Sequence, residues 1–336
     1  MILLSKKVYF NVNYGSKTIS RMAEFSSTLE SKGYGMYFDE RCRTLTMEEI
    51  VPSLQGYYAL VLDSTKITAS LLDQVKDLRI ISRTGVGYDN IDMAACTARE
   101  VAVTIAPGVG AKAVAEHTFA LMLAVSRRIV EMDRAVRNGE WKRYIGPALY
   151  EKTLGLIGFG NIGRQLAKVS GGFSMKICAY DPYQGKRESG ITYYEKLDDL
   201  LKVSDYVSIH CPLTPETQNM ITLAQLKQMK PTAILINASR GGIVNEKDLY
   251  RALTEDVILG AGLDVLEQEP PEKNCPFFSL ENVVLTTHNA GSSVEGKSDI
   301  VAAALQNIFA LDNGEKPVGL LNPDVLKTPH WSKIHI

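Results

Sequence analysis

The sequence predicts an α/β protein of two domains, one of them built on a doubly wound parallel sheet. Three observations lead there. The chain has 336 residues, 45% hydrophobic and 22% charged, an ordinary globular balance that is long enough for two domains. Short apolar runs alternate with helix-like stretches along most of its length. The run Gly158-Phe159-Gly160-Asn161-Ile162-Gly163 follows the apolar segment Thr153–Ile157 and opens a helix-like stretch, and a second strand-like run at 175–180 ends at Asp181. Strand, glycine turn, helix, strand and acid, in that order, describe a dinucleotide site.

Taken in order, residues 8–12 read as a strand and 20–31 as a helix ending at Gly33. Residues 59–62 and 80–82 read as short buried strands. Pro107-Gly108 and Gly110 punctuate the chain. One long helix is expected from 114 to about 136, stopped by Asn138-Gly139. Its apolar positions Val114, Phe119, Leu121, Met122, Val125, Ile129 and Met132 cover a wide stripe. It is therefore expected to be buried on more than one side, as a core helix, a domain link or an oligomer contact. Six strands are expected beyond it, at 154–157, 176–180, 206–210, 233–237, 259–263 and 283–286. Six is the number of a doubly wound dinucleotide fold, and their near-continuous apolar character suits a parallel sheet covered on both faces. A helix over 298–311 and a proline-containing tail are expected to pack back on the N-terminal unit.

A formal net charge of −1 gives no electrostatic case for nucleic acid or an anionic membrane. No apolar run approaches the ~20 residues of a membrane helix. Cys42, Cys96, Cys178, Cys211 and Cys275 lack CxxC spacing and read as reduced thiols of a cytosolic protein. The five histidines do not cluster at metal-ligand spacing, so no metal is expected.

In the glycine turn, Gly158 permits the tight bend, Gly160 lets a pyrophosphate approach the backbone, and Gly163 lets helix and strand pack. The helix start offers N–H groups and a positive dipole end to the anion. Asp181 falls about 18 residues after Gly163, against the ~20 expected of the acid that holds a ribose. Its carboxylate would repel a 2′-phosphate, which favours NAD over NADP. Lys186 and Arg187 could serve a 2′-phosphate or form a solvated loop.

Ligands of an open α/β sheet bind beyond the carboxyl ends of its strands. Three such ends here carry Arg240, Asp264 with Glu267 and Glu269, and His288. A fourth, in the N-terminal unit, reads Arg83-Thr84-Gly85-Val86-Gly87-Tyr88, with glycines that would free N–H groups for an anion. Taken one at a time, these are ordinary surface or structural residues. Together they supply what hydride chemistry on a keto acid needs: a forked carboxylate clamp, a proton donor and an acid to hold it.

The stretches TGVGYDNID from Thr84, VAEHTFALMLA from Val114, KTLGLIGFGNIG from Lys152, INASRGGIV from Ile236, GAGLDVLEQEP from Gly260 and HNAGS from His288 resemble the D-isomer-specific 2-hydroxyacid dehydrogenase family. The resemblance implies a Rossmann-type cofactor domain at 107–293 inserted in a smaller flavodoxin-like substrate domain made of 1–106 and 294–336. It also implies a cleft between them, NAD as cofactor, a small 2-keto or 2-hydroxy acid as substrate, and a homodimer through the cofactor domains. Arg240, Glu269 and His288 would be catalytic. Arg240 would bind the substrate carboxylate and keto oxygen, His288 would exchange a proton with that oxygen, and Glu269 would favour the protonated imidazole. Arg83, Gly85, Val86 and Gly87 would contact substrate. Gly158, Gly160, Asn161, Ile162, Gly163 and Asp181 would hold the cofactor. Cys211, Pro212 and Thr217 would flank its adenine half, Asp264 would face the carboxamide, and Ala238, Arg240, His288 and Gly291 would add contacts.

Thr287 stands where the family commonly has proline. Residues 141–155 and 61–68 look most like the phosphoglycerate dehydrogenase branch. That branch carries arginine where this chain reads Leu62-Asp63, and its longer members add a regulatory domain not expected here. An aspartate beside the substrate would repel a phosphate, so a small unphosphorylated keto acid is expected and 3-phosphoglycerate is the alternative. A second alternative is a cofactor-sensing binding protein, since the family includes corepressors.

Overall fold

The computed structural model describes residues 6–12, 16–41, 47–63, 65–183 and 187–332; Cys42, Ser64 and Lys186 lie outside them. The chain forms two compact units, one from Met1–Gly110 with Ser293–Ile336 and one from Ala111–Ser292.

The first unit holds five strands: β1 (Lys6–Asn11), β2 (Tyr34–Phe38), β3 (Ala59–Leu62), β4 (Ile80–Arg83) and β5 (Ala102–Thr104). They run parallel in the order β2-β1-β3-β4-β5, the flavodoxin-like winding. The buried stretches of these strands are largely apolar because each face of the sheet is covered. Val8, Phe10, Ala59, Val61 and Ile80 join a core with Phe25, Leu29, Val301, Leu305 and Ile308. The intervening Tyr9, Leu60, Leu62 and Ile81 join another with Ile50, Leu54, Leu71 and Cys96. The tail returns to this unit. Asn322 accepts from the Val103 N–H and donates to the Val101 carbonyl, and the fully buried Trp331 donates to the Glu100 carbonyl.

The second unit holds β6 (Thr153–Ile157), β7 (Lys176–Tyr180), β8 (Ile191–Tyr193), β9 (Tyr206–Ile209), β10 (Ile234–Asn237), β11 (Gly260–Leu263) and β12 (Val283–Leu285). Their order is β12-β11-β10-β9-β6-β7-β8, all parallel, so the winding reverses between β6 and β9. This is the doubly wound arrangement, with one strand more than the six expected. The extra strand, β8, has only three residues, none fully buried, and so carries little apolar signal.

The helix expected over 114–136 is two helices, Ala111–Ser126 and Ile129–Arg137. Arg128 breaks it with a left-handed φ of 51° and pairs with Glu131. The first helix buries Ala115, Phe119, Leu121 and Met122 over the sheet. The second buries only Ala135 and leaves Ile129, Val130 and Val136 exposed, so the apolar stripe does not run on as a core helix.

Candidate active site

The glycine turn sits at the winding reversal. Gly158 has φ of 88°, and a Cβ there would come within 2.9 Å of the His210–Cys211 backbone at the end of β9. A Cβ on Gly163 would lie 2.7 Å from the Gly158 carbonyl oxygen. A Cβ on Gly160 would meet nothing within 4 Å. Gly160 is the N-cap of the helix Asn161–Ser170, so the first and third glycines close the turn and the second leaves helix N–H groups open. Asp181 follows β7 and accepts from the Phe159 and Tyr183 N–H groups, one on each oxygen, at 2.8 and 2.9 Å. It fastens the turn to the second strand, a role the sequence reading did not give it. Arg187 is engaged with Glu195 and lies over the Tyr193 ring.

Beside this turn, Thr217 donates to the Pro212 carbonyl, which ties down the loop after Cys211. Burial pushes the Cys211 thiol up to about 11. Cys96, Cys178, Cys211 and Cys275 are all free thiols.

Three neighbouring strands end in the expected polar groups. After β10, Asn237 holds a tight turn: its Oδ1 accepts from the Ser239 N–H and hydroxyl, and its Nδ2 donates to the Arg240 carbonyl. The half-buried Arg240 donates from Nη1 to the Ser239 carbonyl. Gly241 then passes so close to the next loop that a Cβ would sit 2.0 Å from the Leu266 carbonyl oxygen. The β10 and β11 loops are therefore packed backbone to backbone.

After β11, Glu269 Oε1 accepts from the Leu266 N–H at 3.1 Å, and Oε2 lies 2.7 Å from His288 Nδ1. The carboxylate can only accept, so Nδ1 carries the proton and Nε2 is the nitrogen left to exchange one. Both side chains are partly exposed. His288 itself adopts φ of 50°, a left-handed conformation that costs a non-glycine residue about 1 kcal/mol. The Asp264 carbonyl holds it there, accepting from the His288 N–H at 2.7 Å.

The carboxylate of Asp264 is 2% exposed as a residue and fully engaged. It accepts from Thr286 Oγ1 at 2.6 Å and from the Asn289 and Ala290 N–H groups at 2.8 Å each. His117 Nε2 lies 3.4 Å from it and 3.0 Å from Thr286 Oγ1. Burial alone would raise its pKa, but the hydrogen bonds from Thr286, Asn289 and Ala290, with the His117 ring close by, outweigh burial and hold it below the ordinary value. Asp264 thus knots the His288 loop. The sequence reading missed this, as it missed Asn237 and His117; the one available signal was a histidine set within an apolar helical stretch.

In the first unit, Arg83 ends β4 buried at 6% exposure, and its Nη1 donates to the Asp63 carbonyl. Gly85, the exposed Val86 and Gly87 follow at the carboxyl edge. Neither glycine has a positive φ, so backbone conformation does not require glycine at either.

Comparison with known proteins decides the family. Residues 119–290, about half the chain, match the family model described as D-isomer specific 2-hydroxyacid dehydrogenase, NAD binding domain. A protein of Korarchaeum cryptofilum named glyoxylate reductase is 44% identical over 270 residues, 78% of this chain and 81% of that one. The chain is a D-isomer-specific 2-hydroxyacid dehydrogenase. A protein of Methanocaldococcus jannaschii named D-3-phosphoglycerate dehydrogenase is 39% identical over 83% of this chain, which spans 55% of that protein. The solved TT0316 protein of Thermus thermophilus superposes with a TM-score of 0.83 at 32% identity, over 94% of this chain and 99% of that one.

Membership makes the chain an NAD-dependent oxidoreductase interconverting 2-keto and 2-hydroxy acids. The second unit fits that cofactor on its own evidence: an open helix N-terminus at Gly160, a turn that admits no Cβ at Gly158 or Gly163, and an acid after β7. Among the described residues, no helix is long and apolar enough to cross a membrane.

Proposed function

We propose that the chain reduces glyoxylate and 2-keto acids of similar size with NADH, with His288 as proton donor. The observation that carries this is the 2.7 Å pair between His288 Nδ1 and Glu269 at the carboxyl edge of a cofactor-binding sheet. It is supported by relatives at 39–44% identity that bear the name glyoxylate reductase.

Bound NADH supplies the hydride to the keto carbon, and the reverse reaction returns it. His288 Nε2 gives its proton to the keto oxygen as negative charge grows there, and takes it back in the oxidation. Glu269, steadied by the Leu266 N–H, holds Nδ1 and keeps the ring oriented with Nε2 free to face the substrate. Arg240 offers its fork to the substrate carboxylate and keto oxygen, on a turn that Asn237 fixes.

In this proposal residues 1–106 with 294–336 are the substrate domain and 107–293 the NAD domain. Arg83, Gly85, Val86 and Gly87 contact substrate. Gly158, Gly160, Asn161, Ile162, Gly163, Asp181, Cys211, Pro212, Thr217, Ala238, Arg240, Asp264, His288 and Gly291 contact NAD. Leu62-Asp63 offers no cation to a phosphate, and Arg83 is drawn onto the Asp63 carbonyl, which favours an unphosphorylated acid. The protein is assigned to the cytoplasm as a homodimer of cofactor domains. The exposed Ile129, Val130, Val136, Trp141 and Ile145 supply an apolar surface for it.

NADH oxidation measured across glyoxylate, hydroxypyruvate, pyruvate and branched 2-keto acids is the test, with 3-phosphoglycerate oxidation assayed alongside. The highest kcat/KM is expected on glyoxylate or hydroxypyruvate. Saturable turnover of 3-phosphoglycerate alone would replace this reading with the phosphoglycerate one.

A further inference from the structure

We propose that His117 is a positioning residue for the loop that carries His288. This role rests on the reading of His288 as proton donor.

Hydrogen-bond directions follow from a count of protons. Thr286 has one hydroxyl hydrogen, and at 2.6 Å it goes to the Asp264 carboxylate. Thr286 Oγ1 therefore accepts from His117 Nε2, 3.0 Å away, and His117 is the donor. The chain runs one way, from the His117 ring to the Thr286 hydroxyl to Asp264 Oδ1. That carboxylate then accepts from the Asn289 and Ala290 N–H groups. Asp264 so holds Thr286 on one side of His288 and Asn289 with Ala290 on the other, while its carbonyl accepts from the His288 N–H.

The arrangement answers a local need. His288 sits at φ of 50°, a left-handed conformation that costs it about 1 kcal/mol. Thr287 on its N-terminal side leaves φ unfixed where a proline would lock it. Rigidity must come from elsewhere, and the buried carboxylate provides it. His117 anchors that carboxylate to the helix Ala111–Ser126, whose residues Phe119, Leu121 and Met122 are packed in the sheet core. The loop is thereby tied to a rigid element instead of to its own backbone alone.

The test uses the full-length protein and steady-state NADH oxidation on its best keto acid. His117→Phe keeps the ring volume and removes the donor. His117→Gln returns an N–H near the place of Nε2. A misplaced proton donor costs turnover, so His117→Phe is expected to lower kcat about tenfold or more while KM for NADH stays within about twofold. His117→Gln is expected to restore most of the loss. Thr286→Val breaks the same chain one link further on, so the double variant should be no slower than the worse single one. A normal kcat in His117→Phe, no recovery in His117→Gln, or losses that multiply in the double variant would each overturn the inference. Should His117→Phe melt early, Thr286→Val combined with His117→Gln decides by the same criterion. His288→Ala separates the two readings. If it retains turnover, the proton-donor reading has failed; if it is inactive while His117→Phe is normal, only the positioning inference has failed.

Discussion

His210 follows β9 at the point where the sheet reverses, with Nε2 on the Ser208 hydroxyl at 2.9 Å and Nδ1 buried with no hydrogen-bond partner among the described residues. Burial lowers its pKa from 6.5 to about 4. A base with a lowered folded pKa binds its proton more readily in the unfolded chain. Stability is then full above about pH 6.5 and falls as pH drops towards 4. His210→Asn cannot protonate, so its melting temperature should decline less steeply across that window than that of the parent chain. Parallel declines would reject the assignment. Asp264 has the same sign for a different reason: its carboxylate is stabilised by hydrogen bonds from Thr286, Asn289 and Ala290, so its contribution is present above the usual carboxylate range and lost in acid. The sequence placed Arg240, Glu269 and His288 beyond strand ends, where the structure has them, and the pairing of His288 with Glu269 agrees with that placement. The partners of Asp264 were not, because His117 and Thr286 lie far from it along the chain and meet it only through packing.

The strands were the most readable elements. Their buried runs are continuous because both faces are covered, and the residues of β3 stand at 59–62, the span the apolar run marks. The helices were less so. The stripe from Val114 to Met132 looks unbroken in sequence, yet Arg128 turns left-handed and splits it; nothing in residue type foretells a positive φ at an arginine. β2, β5 and β8 escaped notice; β8 has only three residues, none fully buried, and carries no periodic signal. The glycine turn was legible in full, and its test is steric. Gly158→Ala forces a Cβ to within 2.9 Å of the His210–Cys211 backbone at a φ unsuited to alanine. It should lose at least about 2 kcal/mol of stability and weaken NADH binding, read by denaturant unfolding and NADH fluorescence. Gly160→Ala, with nothing within 4 Å of its Cβ, should leave stability nearly unchanged and affect NADH affinity alone. Equal destabilisation by both would contradict the division of roles.

At the scale of the whole molecule, the exposed apolar surface gathers between Ile129 and Tyr150. Trp141 is 84% exposed and Ile145 96%. A lone tryptophan at the surface is unremarkable; several large exposed apolar residues within about twenty positions would suit the contact of the proposed homodimer. Sedimentation should show a dimer, and Trp141→Glu should shift it towards monomer with the fold intact; a parent chain that sediments as a monomer would reject the homodimer. The proton-donor role of His288 is read from His288→Ala, assayed for NADH binding by fluorescence and for NADH oxidation on glyoxylate. NADH affinity should stay within a fewfold of the parent chain while turnover falls by roughly a hundredfold or more. Turnover near that of the parent chain would contradict that role.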